Sequence, residues 1–277
     1  MQIHTSITNL NAALDRQSRI AFAPTMGNLH EGHLSLMRTA RQYGDTVVAS
    51  IFVNRLQFGP NEDFDRYPRT FENDCALLSS VGVDHLFAPD EQELYPQPQR
   101  YQVYPAPEHE SILEGATRPG HFRGVTTVVS KLFNIVRPQV ALFGKKDYQQ
   151  LMILRNMVCE LNMPIEMIGC EIVRAADGLA LSSRNGYLSA AERQEAPRLN
   201  AVLQRMRAQL EAGYTHFAQL ENAACDELRQ HGWVPDYISV RRQLDLQPAT
   251  PGDTLVIVAA ARLGNTRLID NVEIAAL

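Results

Sequence analysis

The chain has 277 residues, a formal net charge of −5, and 45% hydrophobic and 21% charged residues. These proportions exclude a disordered or fibrous chain. The mild acidity carries no footprint for wrapping nucleic acid or lying on an anionic membrane, so neither is expected as a partner. At about 150 residues per domain, one large or two modest domains are expected.

The first residues, MQIHTSITNLNAALDRQSR, lack a basic stretch followed by an apolar one, so no secretory signal is expected. Cys75, Cys159, Cys170 and Cys225 form no C-x-x-C pair. Buried free thiols in a reducing cytoplasm are the expectation. Ile20–Pro24 reads as a strand, and HLSLMRTARQYG as a helix stopped at Gly44. Thr46–Val53 is β-branched and apolar on both faces, as a buried parallel strand requires. Thr70–Val81 is helical, with Gly82 at its end, and leads to the strand DHLFAP. Val125–Val136 is a helix, VALFG a strand, Asp147–Leu161 a helix, and Pro164–Val173 contains a further strand. Strands spaced by helices predict an α/β fold with a Rossmann-like, doubly wound parallel sheet.

The texture changes at Ala176–Asp177–Gly178, a polar turn with glycine. Ser189 and Glu192 make a capping-box pattern. Pro197 separates that short helix from one running to Gly213, and Leu220–Gln230 is a third. Asp236–Val240, Thr254–Ala261 and Arg267–Ile274 are strand-like. The predicted domains are 1–176 and a smaller α+β domain, 177–277.

The first chemical segment, PTMGNLHEGH, runs from Pro24 to His33 between a strand and a helix. In an open parallel sheet ligands sit at the carboxyl ends of strands, where helix amides and the helix dipole favour phosphate. Gly27 and Gly32 permit close backbone approach, and His30 and His33 can donate to the oxygens of a phosphate undergoing displacement. A lone histidine here is a cap or a surface residue, but two around a glycine at a strand-to-helix turn favour function. Gly27 and Gly32 have P-loop spacing, yet His33 and Leu34 replace its Lys and Ser/Thr. The histidines are not at H-E-x-x-H spacing, and no G-x-G-x-x-G follows the strand, so metalloprotease and dinucleotide readings fail.

The second segment, FGKKDYQQ, also opens a helix at a strand end. Lys146 can neutralise a phosphate, Asp147 can accept from a ribose or hold magnesium, and Gln150 lies one turn on. The alternative is that the pair after Gly144, Lys145 and Lys146, is merely a solvated surface. The third, Leu181-Ser182-Ser183-Arg184-Asn185, offers two hydroxyls and a guanidinium to a phosphate chain, or else a capping turn. The fourth, NRLQFG, places Gln57 just after the buried strand, either reading a hydroxyl or carboxylate or bonding backbone. The fifth, Thr117–Val125, carries Arg118 in a loop facing an anion or in a simple turn.

The H-x-G-H after a first strand, with Ser182-Ser183-Arg184, resembles the nucleotidyltransferase superfamily. PTMGNLHEGH, SIFVNRLQFGP, RPGHFRGV, FGKKDYQQ, ADGLALSSRNGYLS and ARLGNTRLIDN, in this order, resemble the pantoate–β-alanine ligase (pantothenate synthetase) family over nearly the whole chain. Arg55 stands where the family usually has proline, and Lys145 where glutamate is common. The resemblance implies a two-step reaction. Pantoate's carboxylate attacks the α-phosphorus of ATP, and the amine of β-alanine then displaces AMP from the acyl adenylate.

It also implies roles. Met26, Gly27, Asn28, Leu29, His30, Glu31, Gly32 and His33 would line the ATP site, with His33 the proton donor or transition-state stabiliser. Gly144, Lys145, Lys146 and Asp147 would hold ATP, Val173 would contact adenine through its backbone, and Leu181, Ser182, Ser183 and Arg184 would cover the phosphates. Gln57 and Gln150 would hold pantoate, and Arg118 would serve the β-alanine or phosphate side. Mg²⁺ would accompany ATP through phosphate oxygens, with no dedicated protein ligand set. A homodimer is further implied, and the place of Ser182–Arg184 beside the predicted domain boundary suggests a closing lid. A simple nucleotidyltransferase, leaving the nucleotide on its product, and a non-catalytic nucleotide-binding module are the competing readings.

Overall fold

In the computed structural model, which describes residues 1–15, 18–60 and 62–274, Cα packing divides the chain into two units. Unit 1 comprises 1–145 and 153–171, and unit 2 comprises 146–152 and 172–277.

Unit 1 opens with β1 (Gln2–His4) and α1 (Ile7–Ala13), followed by β2 (Ile20–Thr25), α2 (Glu31–Tyr43), β3 (Thr46–Ile51), α3 (Phe71–Ser80) and β4 (His85–Phe87). Three short helices, α4 (Glu91–Leu94), α5 (Pro107–Glu110) and α6 (Leu113–Thr117), precede α7 (His121–Val136), β5 (Val140–Gly144), α8 (Tyr148–Glu160) and β6 (Glu166–Cys170). The six strands form one parallel sheet in the order β1-β4-β3-β2-β5-β6. Alternate strand residues serve opposite faces. Ala21, Ala23, Val47, Ala49 and Leu142 pack with Leu36, Met37 and Ala40 of α2 and Leu78 of α3. Phe22 and Phe143 meet Phe133 of α7 edge-on, each with ring centroids 6.4 Å apart. Helices thus cover both faces, as the doubly wound expectation requires.

The strand order reverses between β2 and β5, which defines the crevice where ligands bind in such sheets. Pairing there covers only Ala21–Phe22 against Val140–Ala141. Thr25 accepts from Phe52 on the β3 side and Ile20 from Gln139 on the β5 side, so alternation turns Pro24 toward β5. A residue without an N–H at that point ends the ladder.

Unit 2 adds α9 (Ala190–Glu195), α10 (Arg198–Glu211), α11 (Phe217–Gln230), β7 (Trp233–Arg242), β8 (Leu255–Leu263) and β9 (Thr266–Glu273). The strands form an antiparallel sheet, β7-β8-β9. Ile257, Ala259, Ala261 and Leu263 share one face and pack against Leu199, Leu203 and Met206 of α10 and Leu220, Ala224 and Leu228 of α11. The Ser189–Glu192 capping box forms as expected.

Several boundaries differ from the pattern reading. The second helix starts at Glu31, because His30 serves as its N-cap. The helix read from Val125 starts at His121, with Gly120 in the left-handed region at its N-cap. β1, α1 and α4–α6 are too short for periodicity to reveal. All four cysteines are free, but Cys159 is exposed, so not every thiol is buried. Among the described residues no helix is long and apolar enough to cross a membrane.

Candidate active site

In unit 1 the segment after β2 turns through Gly27 (φ 83°) and Asn28 (φ 49°) before α2 begins. A Cβ at Gly27 would sit 3.1 Å from a carboxylate oxygen of Asp74, in a backbone conformation that L side chains rarely adopt. Asp74, on α3 and 1% exposed, accepts the Asn28 N–H at 2.9 Å, the Leu29 N–H at 2.8 Å and the Thr70 hydroxyl at 3.1 Å. The Asn28 and Leu29 amides therefore both donate to this carboxylate, a support that no local pattern in the sequence announces.

The two histidines cap their own helix. The Gly32 N–H donates to His30 Nδ1 at 3.1 Å, and the His30 N–H to His33 Nδ1 at 3.3 Å. This is a capping box with imidazoles in the roles usually taken by Ser and Glu. An Nδ1 that accepts leaves the proton of a neutral ring on Nε2. Both rings are therefore fixed as Nε2–H donors, with centroids 4.1 Å apart. The cap expected of a lone histidine is thus present at both, and it orients the two Nε2–H groups. Glu31 pairs with Arg38 along the exposed side of α2.

Gln57 closes the 3₁₀ turn Arg55–Gln57 after β3. Its amide is set by a chain of bonds. The Tyr95 hydroxyl donates to Asn54 Oδ1 at 2.8 Å, Asn54 Nδ2 to Gln57 Oε1 at 3.0 Å, and Gln57 Nε2 to Met26 Sδ at 3.3 Å. Burial holds the Tyr95 phenol well above its ordinary pKa, so it stays a donor. The turn backbone lies so close to α7 that a Cβ at Gly124 would meet the Leu56 carbonyl oxygen at 2.3 Å. Met26 and Gln57, from neighbouring strands, are thus brought together.

Arg118, at the end of α6, donates to both Glu62 oxygens at 2.8 and 2.6 Å and through Nη1 to His121 Nε2 at 2.9 Å. His121 Nδ1 then donates to the Gln57 carbonyl at 2.8 Å. Burial, reinforced by the Arg118 charge, pushes His121 down to about 4, so the ring is neutral. The guanidinium expected to face an anion here supports the Gln57 turn. Arg55 lies 3.9 Å above the Phe64 ring and 3.2 Å from Glu91.

The lysine pair divides. Lys145 Nζ donates to Glu171 at 2.5 Å, within unit 1. Lys146 begins the 146–152 segment of unit 2, with its Nζ 4.0 Å from an Asp147 oxygen. Asp147 is exposed, and Gln150 is half-buried on the first turn of α8.

Elsewhere in unit 2, residues 173–181 form a small antiparallel hairpin, with Arg174 bridged to Ala180 and the Leu181 N–H on the Val173 carbonyl. Ala176–Asp177–Gly178 is its turn. Ser182 caps the following 3₁₀ turn, its hydroxyl oxygen accepting the Arg184 N–H at 3.2 Å, and Asn185 donates to the Ala180 carbonyl at 3.0 Å. The hairpin carries Val173 at one end and Leu181–Arg184 at the other. Among the described residues no group of three or more His, Cys, Asp or Glu side chains forms a metal cage.

The family model described as pantoate-beta-alanine ligase matches residues 2–273. A pantothenate synthetase of Nitrosospira multiformis is 58% identical over 275 residues, covering 99% of this chain and 98% of that protein. The crystal structure of pantothenate synthetase from Thermus thermophilus superposes with a TM-score of 0.94 at 45% identity, covering 99% of each chain. A pantoate-beta-alanine ligase from Francisella tularensis, complexed with beta-gamma ATP and beta-alanine, gives a TM-score of 0.83 at 35% identity, covering 99% of this chain and 97% of that one.

Proposed function

The chain belongs to the pantoate–β-alanine ligase family, and from that premise we propose how its own residues carry the reaction. It is an ATP-dependent ligase that condenses (R)-pantoate with β-alanine to pantothenate through pantoyl adenylate, releasing AMP and pyrophosphate. A free carboxylate has no good leaving group, and adenylation supplies one.

The observation that carries the residue assignments is the reciprocal histidine cap, which leaves two oriented Nε2–H donors at a strand-to-helix turn. As pantoate's carboxylate oxygen bonds to the α-phosphorus, negative charge develops on the phosphate oxygens and His30 and His33 stabilise it. Lys146 supplies the cation. Met26 to His33 and Gly144 to Asp147 line the ATP site, Val173 meets adenine, and Leu181 to Arg184 cover the phosphates. Gln57, its Oε1 occupied by Asn54, presents N–H to the pantoate acid or hydroxyl, and Gln150 holds the same substrate. Arg118 acts through His121 on the Gln57 backbone as well as toward the β-alanine side.

Mg²⁺, entering with ATP, would supply charge neutralisation of the triphosphate, and Asp147, whose carboxylate lies 4.0 Å from Lys146 Nζ, is the residue that would hold it. The larger unit is the catalytic domain and the smaller one, which takes in the whole 173–181 hairpin and not only the residues after its turn, is the lid, in a cytoplasmic homodimer.

The test is product analysis of purified protein with ATP, Mg²⁺, pantoate and β-alanine. AMP and pantothenate should form together, and only with both organic substrates present. A stable nucleotidylated product without AMP would instead assign a simple nucleotidyltransferase. In Lys146→Ala, rapid quench should place the loss in adenylate formation. Normal adenylate formation there would remove Lys146 from that role.

A further inference from the structure

Strand β9 presents successive residues to its two faces, and three polar or charged positions on it reach segments distant in the chain. Asp270, 4% exposed, accepts from Arg174 through both oxygens at 2.7 and 2.8 Å and from Asn200 of α10 at 3.2 Å. It also accepts the Asn271 N–H at 2.7 Å. Asn271, also 4% exposed, turns the other way and donates its side-chain N–H to the Lys146 carbonyl at 2.9 Å. Two residues on, on the same face, Glu273 accepts the Tyr148 hydroxyl at 3.1 Å. Segment 146–152 therefore packs with unit 2 because β9 holds it at both Lys146 and Tyr148. Lys146, Ser182, Asn200 and Asp270 also border one cavity of about 10 Å³, room for about one water.

We propose that Asn271 is a positioning residue for Lys146, itself held by Asp270, so that the hairpin bearing Val173 and Ser182–Arg184 and the backbone of Lys146 form one rigid block. The proposal rests on the ligase reading above. Asn271 touches no reacting atom. It fixes the carbonyl of the residue from which the Lys146 side chain departs. A carbonyl whose donor is removed moves toward another partner, and a shift of about 1 Å at a group that binds a reacting phosphate costs up to about a hundredfold in rate.

The experiment uses the full-length protein with Asn271→Ala and the isosteric Asn271→Asp, which loses the donor at constant volume. Circular dichroism and unfolding midpoints check that each is folded. In rapid-quench assays with ATP and pantoate, adenylate formation should fall about ten- to a hundredfold. Transfer of the pantoyl group from supplied pantoyl adenylate to β-alanine should stay within about twofold of the parent. In a Lys146→Ala background, Asn271→Ala should change the affinity for α,β-methylene-ATP by less than about twofold, because partners in one device are not additive. Equal losses in both half-reactions, or an undiminished loss of affinity on top of Lys146→Ala, would overturn the positioning role and leave a merely structural one. An active parent whose Asn271 variants are unchanged overturns this proposal alone, whereas a parent that makes no AMP overturns the ligase reading.

Discussion

The turn after β2 and the hairpin 173–181 both carry residues of the proposed site, but they draw their supports from different distances along the chain. In the β2 turn the supports are mostly local. His33 takes the His30 N–H and His30 takes the Gly32 N–H, all within four residues, and Gly27 supplies the bend. Asp74 and Gln57 reach in from farther along the chain. In the hairpin the decisive contact is long-range, since Arg174 is held by Asp270 of the last strand, just as Lys146 of segment 146–152 is held by Asn271. A locally supported site keeps its geometry as long as its helix stands. One supported by a distant strand depends on the whole small domain being folded.

Substitutions can break or sharpen this contrast. The largest effect is expected at His33→Ala. Loss of one charge-stabilising donor should raise the adenylation barrier by about 2.7–4 kcal/mol, read by rapid quench, with pantoate affinity nearly unchanged. Loss of the cap alone should cost about 1 kcal/mol of stability, so equal damage to fold and rate would refute the donor role.

Next comes pH. His121 falls from 6.5 in the unfolded chain to about 4 in the folded one. Its buried neutral ring leaves stability unaffected above pH 6.5. As pH drops from 6.5 to 4, the unfolded state takes up the proton first and stability falls by about 3 kcal/mol. His121→Asn, which retains a donor for the Gln57 carbonyl, should flatten that part of the stability–pH curve in urea unfolding.

Asp74→Asn replaces one acceptor of a buried amide by a donor and should cost about 1–3 kcal/mol, measured as a lowered urea midpoint. Arg55→Pro is expected to be the mildest. It removes the stacking on Phe64, worth about 0.5–1 kcal/mol, and places proline at the first position of the 3₁₀ turn, where its fixed φ fits. A change in pantoate KM in that variant would show that the Arg55 side chain, and not only the turn, shapes the Gln57 site.

The same contrast explains what was legible in the sequence. The long strands and helices declared themselves by periodicity, and both histidines, Gln57 and Lys146 stood in strings dense enough to read. Local chemistry misled in degree, not in kind. The Ser182 turn is a cap, and Lys145 is bound to Glu171 beside a Lys146 that goes elsewhere. Asp74, His121, Asp270 and Asn271 were silent as supports. A carboxylate or imidazole on a helix, or an amide on a strand, carries no mark of the backbone it will meet 45, 64 or 125 positions away.

Pro24 has a consequence of its own. With its ring turned toward β5, the β2–β5 ladder stops after Phe22, and the gap beyond it is a fixed property of the chain. A ligand entering there has no strand hydrogen bonds to unzip, so the opening is preorganised and its cost falls on folding instead of on each binding event. A residue with an N–H at position 24 would let the two strands close further. The enzyme would then meet its substrates with the seam partly shut.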